Sequence, residues 1–516
     1  MKVLASYVSG SWFKGDGKPA TLVNPATEEA LAETSTGGID FGAALAFARD
    51  KGGPALRAMT FAERGDLLRA MSRVIHSHRD HLLDLAMANG GNTRSDAKFD
   101  VDGASGTLAY YAELSKELGG KKVLLDGDAT QLGRSPRFVG QHVLLPRRGV
   151  AVHVNAFNFP AWGLGEKAAC ALLAGMPIVV KPATSTAIVA HRIVELIVEA
   201  NILPAGALSF VAGAAGDMLS HLKGEDVLAF TGGGSTATTL RSAESVVRDS
   251  VRVNVEADSL NAAILGADVE RGSDTYLAFL RDVVRDMTQK TGQKCTAIRR
   301  VFVPRDRVVD VTEDLVERLR EFVVGDPNAD KVTMGPVATA NQLRDVRAGI
   351  ELLARESKCV LGGAAPIDGV GVPSGKGYFV PPTLLVQDDP SKACAVHEHE
   401  VFGPVQTVLA YDATADAVAA VRRGGGGLVS TVYSDDRATL GAIGLEIASA
   451  HGRVVLTSAK IADQTPGPGT VLPHSIHGGP GRAGGGEELG GLRGLNFYAQ
   501  RVALQGDRPV LEALLG

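Results

Sequence analysis

Cysteine is scarce in this chain of 516 residues: there are four, at positions 170, 295, 359 and 394. None of the short spacings that staple small secreted domains is present. A disulfide framework is excluded, and a reducing compartment, the cytoplasm, is expected. A basic excess is missing too. The formal net charge is −5, whereas a broad nucleic-acid surface shows as clustered positive charge. Small molecules are the expected partners, and no nucleic acid. The pairs Arg147-Arg148 and Arg299-Arg300 read as solvated surface charge. Long hydrophobic runs are also wanting. The stretch 169–180 is broken by Gly175 and Pro177, far short of the roughly 20 residues that span a bilayer. At the N-terminus one lysine and a brief apolar run end at Ser9 and Gly10, too short for a signal segment. No membrane association is expected.

What is abundant is glycine, with 62 copies against a usual share of about 7%. That suits many tight strand-to-helix turns and close backbone approaches to a ligand. Hydrophobic residues at 45% and charged residues at 22% are ordinary globular usage, and the length calls for two or three domains.

After a hairpin-like N-terminal stretch, Thr60-Phe-Ala-Glu63 forms a capping-box pattern. Leu67, Leu68, Met71, Val74 and Ile75 follow at helical spacing, so helices are expected to dominate 39–120. Residues 121–147 read as an extended arm. From Gly149 short apolar runs alternate with helix-length segments: Val150–Val154, Ile178–Val180, Leu208–Val211, Val227–Phe230 and Val251–Val255. That alternation specifies a doubly wound parallel sheet, whose ligands sit beyond the carboxyl ends of its strands. A second alternating pattern over 259–457, with a helix at 274–287, indicates another α/β domain. The Gly- and Pro-rich tail from Gly467 to Gly494 reads as an ordered loop rather than a tether.

Several residues at these strand ends can do chemistry, and each has a plain alternative. Cys295, in Thr291-Gly-Gln-Lys-Cys-Thr-Ala-Ile-Arg299, has polar neighbours that suit a nucleophile, with Lys290 and Lys294 to favour the thiolate. A cysteine can equally be structural, as Cys170 reads in its apolar context. Glu256 ends an apolar strand at the domain junction; it is either a general base with a raised pKa or an ion-paired surface carboxylate. Asn158, between Phe157 and Phe159, offers an oxyanion donor or a turn-stabilising amide. Phe230-Thr-Gly-Gly-Gly-Ser-Thr opens a helix whose free N–H groups suit a pyrophosphate, although a full G-x-G-x-x-G is absent. Lys181 reads either as a ribose or phosphate contact or as a surface lysine.

Taken in order, these segments closely resemble the aldehyde dehydrogenase superfamily. The resemblance runs through Asn24-Pro-Ala-Thr27, Phe157-Asn-Phe-Pro160, Lys181-Pro, Phe230-Thr-Gly232, Glu256 with Asn261, Gly292-Gln-Lys-Cys295, Met334-Gly-Pro336, Pro382-Thr383 and Glu400-Val-Phe-Gly-Pro404. It spans nearly the whole chain. It implies an aldehyde dehydrogenase-like α/β fold with a Rossmann-type, doubly wound cofactor domain (1–120 and 148–257) and a second α/β catalytic domain (258–465). It further implies a small β oligomerisation arm with the C-terminal tail (121–147 and 466–516); the strand edges that the arm and the tail after 494 offer a second subunit lead to the expectation of a homodimer.

The implied catalytic residues are Cys295 as nucleophile, Asn158 as oxyanion donor and Glu256 as the base that activates water. Cofactor contacts are implied for Phe157, Lys181, Thr184, Ala214, Thr231, Gly232, Gly233, Ala257, Glu400 and Phe402; no metal is implied. NAD-preferring members tend to carry glutamate where Thr184 stands, so NADP is expected. Two departures stand out. The usual Glu-Leu-Gly-Gly is Glu256-Ala-Asp-Ser259, in which Asp258 either perturbs Glu256 or serves as a hydrogen-bonding group. The run from His477 to Gly491 resembles CoA-linked semialdehyde dehydrogenases of aerobic aromatic degradation, and the chain length then implies a stand-alone dehydrogenase without a hydratase part. A CoA-thioester semialdehyde is the substrate implied. Competing readings are a CoA-acylating or a general aliphatic aldehyde dehydrogenase, and a non-catalytic binding protein.

Overall fold

The computed structural model describes residues 1–389 and 391–515. Two seven-stranded sheets organise it. In the first, Arg252–Glu256, Val227–Thr231, Ala151–Val154, Ile178–Lys181 and Leu208–Phe210 run parallel in that spatial order. The antiparallel hairpin Ser6–Val8 and Ser11–Phe13 extends the edge. These are the five apolar runs expected from the sequence. Chain order reverses between Ala151–Val154 and Val227–Thr231, so a crevice opens beyond their carboxyl ends, where ligands settle in such sheets.

Helices cover this sheet and supply its core. Phe61–Ser77 begins with the anticipated capping box between Thr60 and Glu63 and buries Leu68, Met71 and Ile75. It packs with Arg94–Leu118 and Trp162–Ala174. The last is apolar nearly all round and buried along its length, as a helix enclosed by protein must be. No described helix is long and apolar enough to cross a membrane.

The second sheet spans the region 261–457 in the order Lys358–Leu361, Thr383–Gln387, Val405–Tyr411, Ile298–Pro304, Asn261–Leu265, Gly427–Tyr433 and His451–Thr457. Only its first strand is antiparallel. The expected helix is Asp274–Thr288.

The arm is extended: Leu124–Leu125, Thr130–Gln131 and Phe138–Pro146 form a small sheet completed by Ala499–Asp507. The tail is ordered and divides in two. Before reaching that sheet it folds Ile476–Gly479 onto Gly486–Leu489 as a hairpin, pressed against the strand Arg252–Glu256. At Gly484 (φ 102°) a Cβ would lie 2.3 Å from the Val255 carbonyl oxygen. Glycine there permits both the backbone conformation and the approach.

The arginine pairs depart from expectation. Arg147, Arg299 and Arg300 are buried, not solvated. Arg300 donates to the carbonyls of Leu260, Ala420 and Val421, and Arg147 to those of Gly224 and Glu225. A buried guanidinium is tolerable because carbonyl acceptors satisfy its fixed fork of donors.

Candidate active site

The segment Gln289–Gly292 turns sharply: Lys290, Thr291 and Gly292 all have positive φ, at 52°, 54° and 67°. Side chains other than glycine rarely adopt this region. At Gly292 a Cβ would also meet the Gly403 oxygen at 2.1 Å. The turn delivers Cys295 to the meeting point of two cavities. One is lined by Phe99, Phe159, Trp162, Val471 and His477, the other by residues of the cofactor crevice; Asn158, Glu256 and Cys295 line both. The nucleophile's backbone is pinned from behind. Asn261 Nδ2 donates to the Cys295 carbonyl at 2.8 Å and to that of Ala297 at 2.9 Å, and Ser259 Oγ also donates to the Cys295 carbonyl.

Asn158 is buried and donates Nδ2 to the Gln293 carbonyl at 3.0 Å. An amide carries two such hydrogens, so the second is available beside Cys295.

The two lysines near Cys295 in sequence do not serve its sulfur, contrary to expectation. Lys294 Nζ is buried between Asp286 Oδ1 at 2.7 Å and Gln289 Oε1 at 2.8 Å. Lys290 Nζ lies 4.5 Å from the centre of the Phe159 ring. Instead burial, followed by the Glu256 carboxylate, pushes the Cys295 thiol well above its ordinary range, so the resting group is the thiol.

Glu256 is buried, and its Oε2 lies 3.0 Å from His477 Nε2. Burial favours the neutral acid, but the charge and hydrogen bond of His477, then the charge of Lys167, outweigh it and hold the carboxyl down at about 2. This corrects the expectation of a raised value: a cationic neighbourhood wins over desolvation. Behind Glu256, Lys167 Nζ is shared by Glu166 Oε1 (3.1 Å), Glu488 Oε2 (3.1 Å) and Thr231 Oγ1 (2.8 Å). Burial raises Glu488 to about 7, against the pull of Lys167.

Asp258 takes the hydrogen-bonding role: its Oδ1 accepts from Gly234 N at 3.0 Å, at the start of the helix Gly234–Arg241. The principal influences on Glu256 come from elsewhere.

Of the residues singled out for a cofactor, Phe157, Lys181, Thr231, Gly232, Gly233, Ala257, Glu400 and Phe402 line one cavity. It lies at the crevice between Ala151–Val154 and Val227–Thr231. Thr184 begins the turn Thr184–Thr186 just beyond Ala183, which lines the cavity, and Ala214 is exposed; neither is part of its wall. The chemistry of the wall fits a dinucleotide. Lys181 is partly buried, its ammonium pKa pulled down by burial, with no countercharge beside it among the described residues. The glycine backbone and the helix start face the same space, and the rings of Phe157 and Phe402 stand edge to face at 5.8 Å. Glu400 is held by Arg299 at 3.2 Å and by the Ser259 N–H at 2.9 Å.

His477, Lys167, Glu166 and Glu488 were given no role at the site from the sequence, although His477 and Glu488 lie in the run 477–491 noted there for its resemblance. The available signal was a pair of charged residues, Glu166-Lys167, inside an otherwise apolar helix. Such a placement is rare without a partner.

The chain is similar to known proteins along nearly its whole length. The family described as aldehyde dehydrogenase matches residues 12–502. A 3,4-dehydroadipyl-CoA semialdehyde dehydrogenase of Aromatoleum evansii is 46% identical over 477 residues, covering 92% of this chain and 93% of that protein. A glutarate-semialdehyde dehydrogenase of Pseudomonas putida is 29% identical over 441 residues, or 84% and 85% of the two chains. Among solved structures, the NAD+ complex of an aldehyde dehydrogenase from Bacillus cereus shares the fold. Its TM-score is 0.85 at 24% identity, covering 98% of this chain and 97% of that one.

Proposed function

Since this chain belongs to the aldehyde dehydrogenase family and is an NAD(P)-dependent enzyme of that class, we propose that it oxidises a CoA-thioester semialdehyde to the free acid, with NADP preferred. The observation that carries the chemistry is the convergence of Cys295, Glu256 and Asn158 where the two cavities meet. The substrate class rests on the relative from Aromatoleum evansii, whose name specifies 3,4-dehydroadipyl-CoA semialdehyde.

In this reading Cys295 Sγ attacks the aldehyde carbon as its proton passes to the neighbouring Glu256 carboxylate, which releases it to solvent before the second half-reaction. The second amide hydrogen of Asn158 and the Cys295 backbone N–H receive the developing oxyanion. A nicotinamide cofactor held in the crevice would supply the acceptor for the hydride that leaves the thiohemiacetal carbon, and loss of that hydride leaves the acyl group on the sulfur as a thioester. Lys181 and the backbone at Thr231 to Gly233 hold the ribose and phosphate groups, while Phe157 and Phe402 wall the cavity. Glu256 then draws a proton from water as the water oxygen attacks the thioester, and the sulfur leaves with the acid as product. NADP is favoured because Thr184 places no carboxylate where a 2′-phosphate would lie.

The arm supports a homodimer: Leu125, Leu132 and Phe138 are exposed on its small sheet, which presents an edge for a second copy to cover. Light scattering of the purified protein tests that.

The deciding assay is initial-rate formation of NADPH and of NADH with a CoA-linked semialdehyde and with a free aliphatic aldehyde of similar length. Preference for the CoA-linked substrate with NADP is expected. Equal turnover of the free aldehyde would remove the CoA assignment, and equal rates with NAD would remove the cofactor preference. Cys295→Ala should abolish oxidation while cofactor binding persists; continued oxidation would remove Cys295 from the mechanism.

A further inference from the structure

The hairpin Ile476–Gly479 and Gly486–Leu489 brings His477 from the tail to the reacting groups. Its Nε2 lies 3.0 Å from Glu256 Oε2 and 4.0 Å from Cys295 Sγ, with both side chains of the His477–Glu256 pair 3% exposed. We propose that His477 is a positioning residue for Glu256: its Nε2–H fixes one carboxylate oxygen and leaves the other for the water that hydrolyses the thioester. This rests on the hydrolytic reading above.

The hydrogen-bond inventory of the ring decides its role. Both near contacts fall on Nε2, while Nδ1 is buried with no partner among the described residues. A ring protonated only on Nδ1 would bury an unanswered donor and turn a lone pair toward a carboxylate, so Nε2 carries the hydrogen whether the ring is neutral or charged. A nitrogen already bearing hydrogen cannot take the Cys295 proton. A nucleophile–histidine–acid relay places thiol and acid on opposite ring nitrogens, and here they share one. The histidine therefore acts through Glu256.

The carboxylate has the complementary asymmetry. Oε2 is engaged, whereas Oε1 is buried without a hydrogen bond among the described residues. A buried acceptor left open in a reactive cleft is where a donor from solvent or substrate binds at low cost.

Other charges do not duplicate the contact. Glu256 faces Lys167 and Cys295 besides His477. Lys167 is divided between Glu166 and Glu488. His477 itself faces Glu166 and Arg453, and Glu488 stands behind Lys167. Without the histidine donor, burial is the strongest influence left on Glu256. The carboxyl then shifts toward its neutral form and loses its fixed direction.

The test is the pH profile of steady-state turnover, read with the pre-steady-state burst of reduced cofactor, for wild type, His477→Phe and His477→Gln. In His477→Phe the acid limb should move up by about one pH unit or more and turnover should fall by about tenfold or more, with the burst retained. His477→Gln, which keeps an N–H donor, should restore most of both. His477→Asn, too short to reach Oε2, gives the same reading as Phe should the larger ring not fit.

An unshifted limb with turnover within about twofold of wild type in the Phe or Asn variant would overturn the proposal. So would a Gln variant as impaired as Phe. Glu256→Gln is run alongside. If it turns over like wild type, the hydrolytic reading itself falls; if it is slow while His477→Phe is unshifted, only the positioning role falls.

Discussion

Asn158 Nδ2 sits 3.0 Å from the Gln293 carbonyl, two residues before the nucleophile, so one contact ties the strand-end loop of the first sheet to the cysteine turn. With one hydrogen anchored, the other is held in a fixed direction without reorganisation at the moment of reaction.

Removing that amide should therefore cost rate rather than fold. Asn158→Ala is expected to lower kcat by about 10²–10³-fold, the range for loss of one oxyanion donor, with cofactor affinity retained. Stopped-flow formation of reduced cofactor checks it: the burst rate should fall. A burst as fast as wild type would place the oxyanion elsewhere.

Glu256→Gln should act in opposite directions on two measurements. Turnover to acid should drop by about 10²–10⁴-fold. Because the Glu256 carboxylate helps to raise the Cys295 thiol pKa, neutralising it lowers that pKa and enlarges the thiolate fraction at a given pH. Alkylation of Cys295 by iodoacetamide in the free protein, followed by mass spectrometry at pH 7 to 9, should become faster. A slower reaction would contradict the electrostatic assignment.

Thr184→Glu introduces a carboxylate beside the cavity wall at Ala183. It should reduce kcat/KM with NADP by about tenfold or more, equivalent to roughly 1.4 kcal/mol, while leaving NAD turnover little changed. Parallel initial rates with the two cofactors check the ratio.

Lys167→Met would strand Glu166 and Glu488 in a buried site. Breaking a buried ion pair by removing one partner costs about 3–5 kcal/mol, which chemical denaturation can read. Lys167→Met combined with Glu488→Gln should recover part of that loss, because the second change removes a buried carboxyl that must otherwise take up a proton once its partner is gone. Equal instability of the single and double variants would refute the pairing.

The five parallel strands of the first sheet were legible in the sequence because each announces itself as an apolar run of 3 to 5 residues bounded by turn chemistry, and each run feeds a strand end where functional side chains collect. Glu256 and Asn158 were singled out that way, and Cys295 by its polar neighbours ahead of the strand Ile298–Pro304. The electrostatic setting was not legible. Lys290 and Lys294 adjoin Cys295 in sequence, yet the left-handed turn and the buried partner Asp286 turn them elsewhere. The cation that does adjoin Glu256, Lys167, lies far from it in sequence, on the buried helix Trp162–Ala174. His477 reaches Cys295 from 182 residues away. Charge patterns taken locally therefore gave the wrong sign for Glu256 and the wrong place for Arg299 and Arg300, since partners across the fold decide both.

The hairpin that carries His477 and Glu488 also bears on how the molecule is made. Lys167 and Glu488 are separated by 321 residues, and the cleft is complete only when that hairpin closes on Arg252–Glu256. Domains form in order as a chain emerges, so no nascent chain shorter than 488 residues holds both ends of this network. Until then Lys167 and Glu166 lack their partner from the tail, so the catalytic cleft is completed late, shortly before the strand Ala499–Asp507 closes the arm sheet.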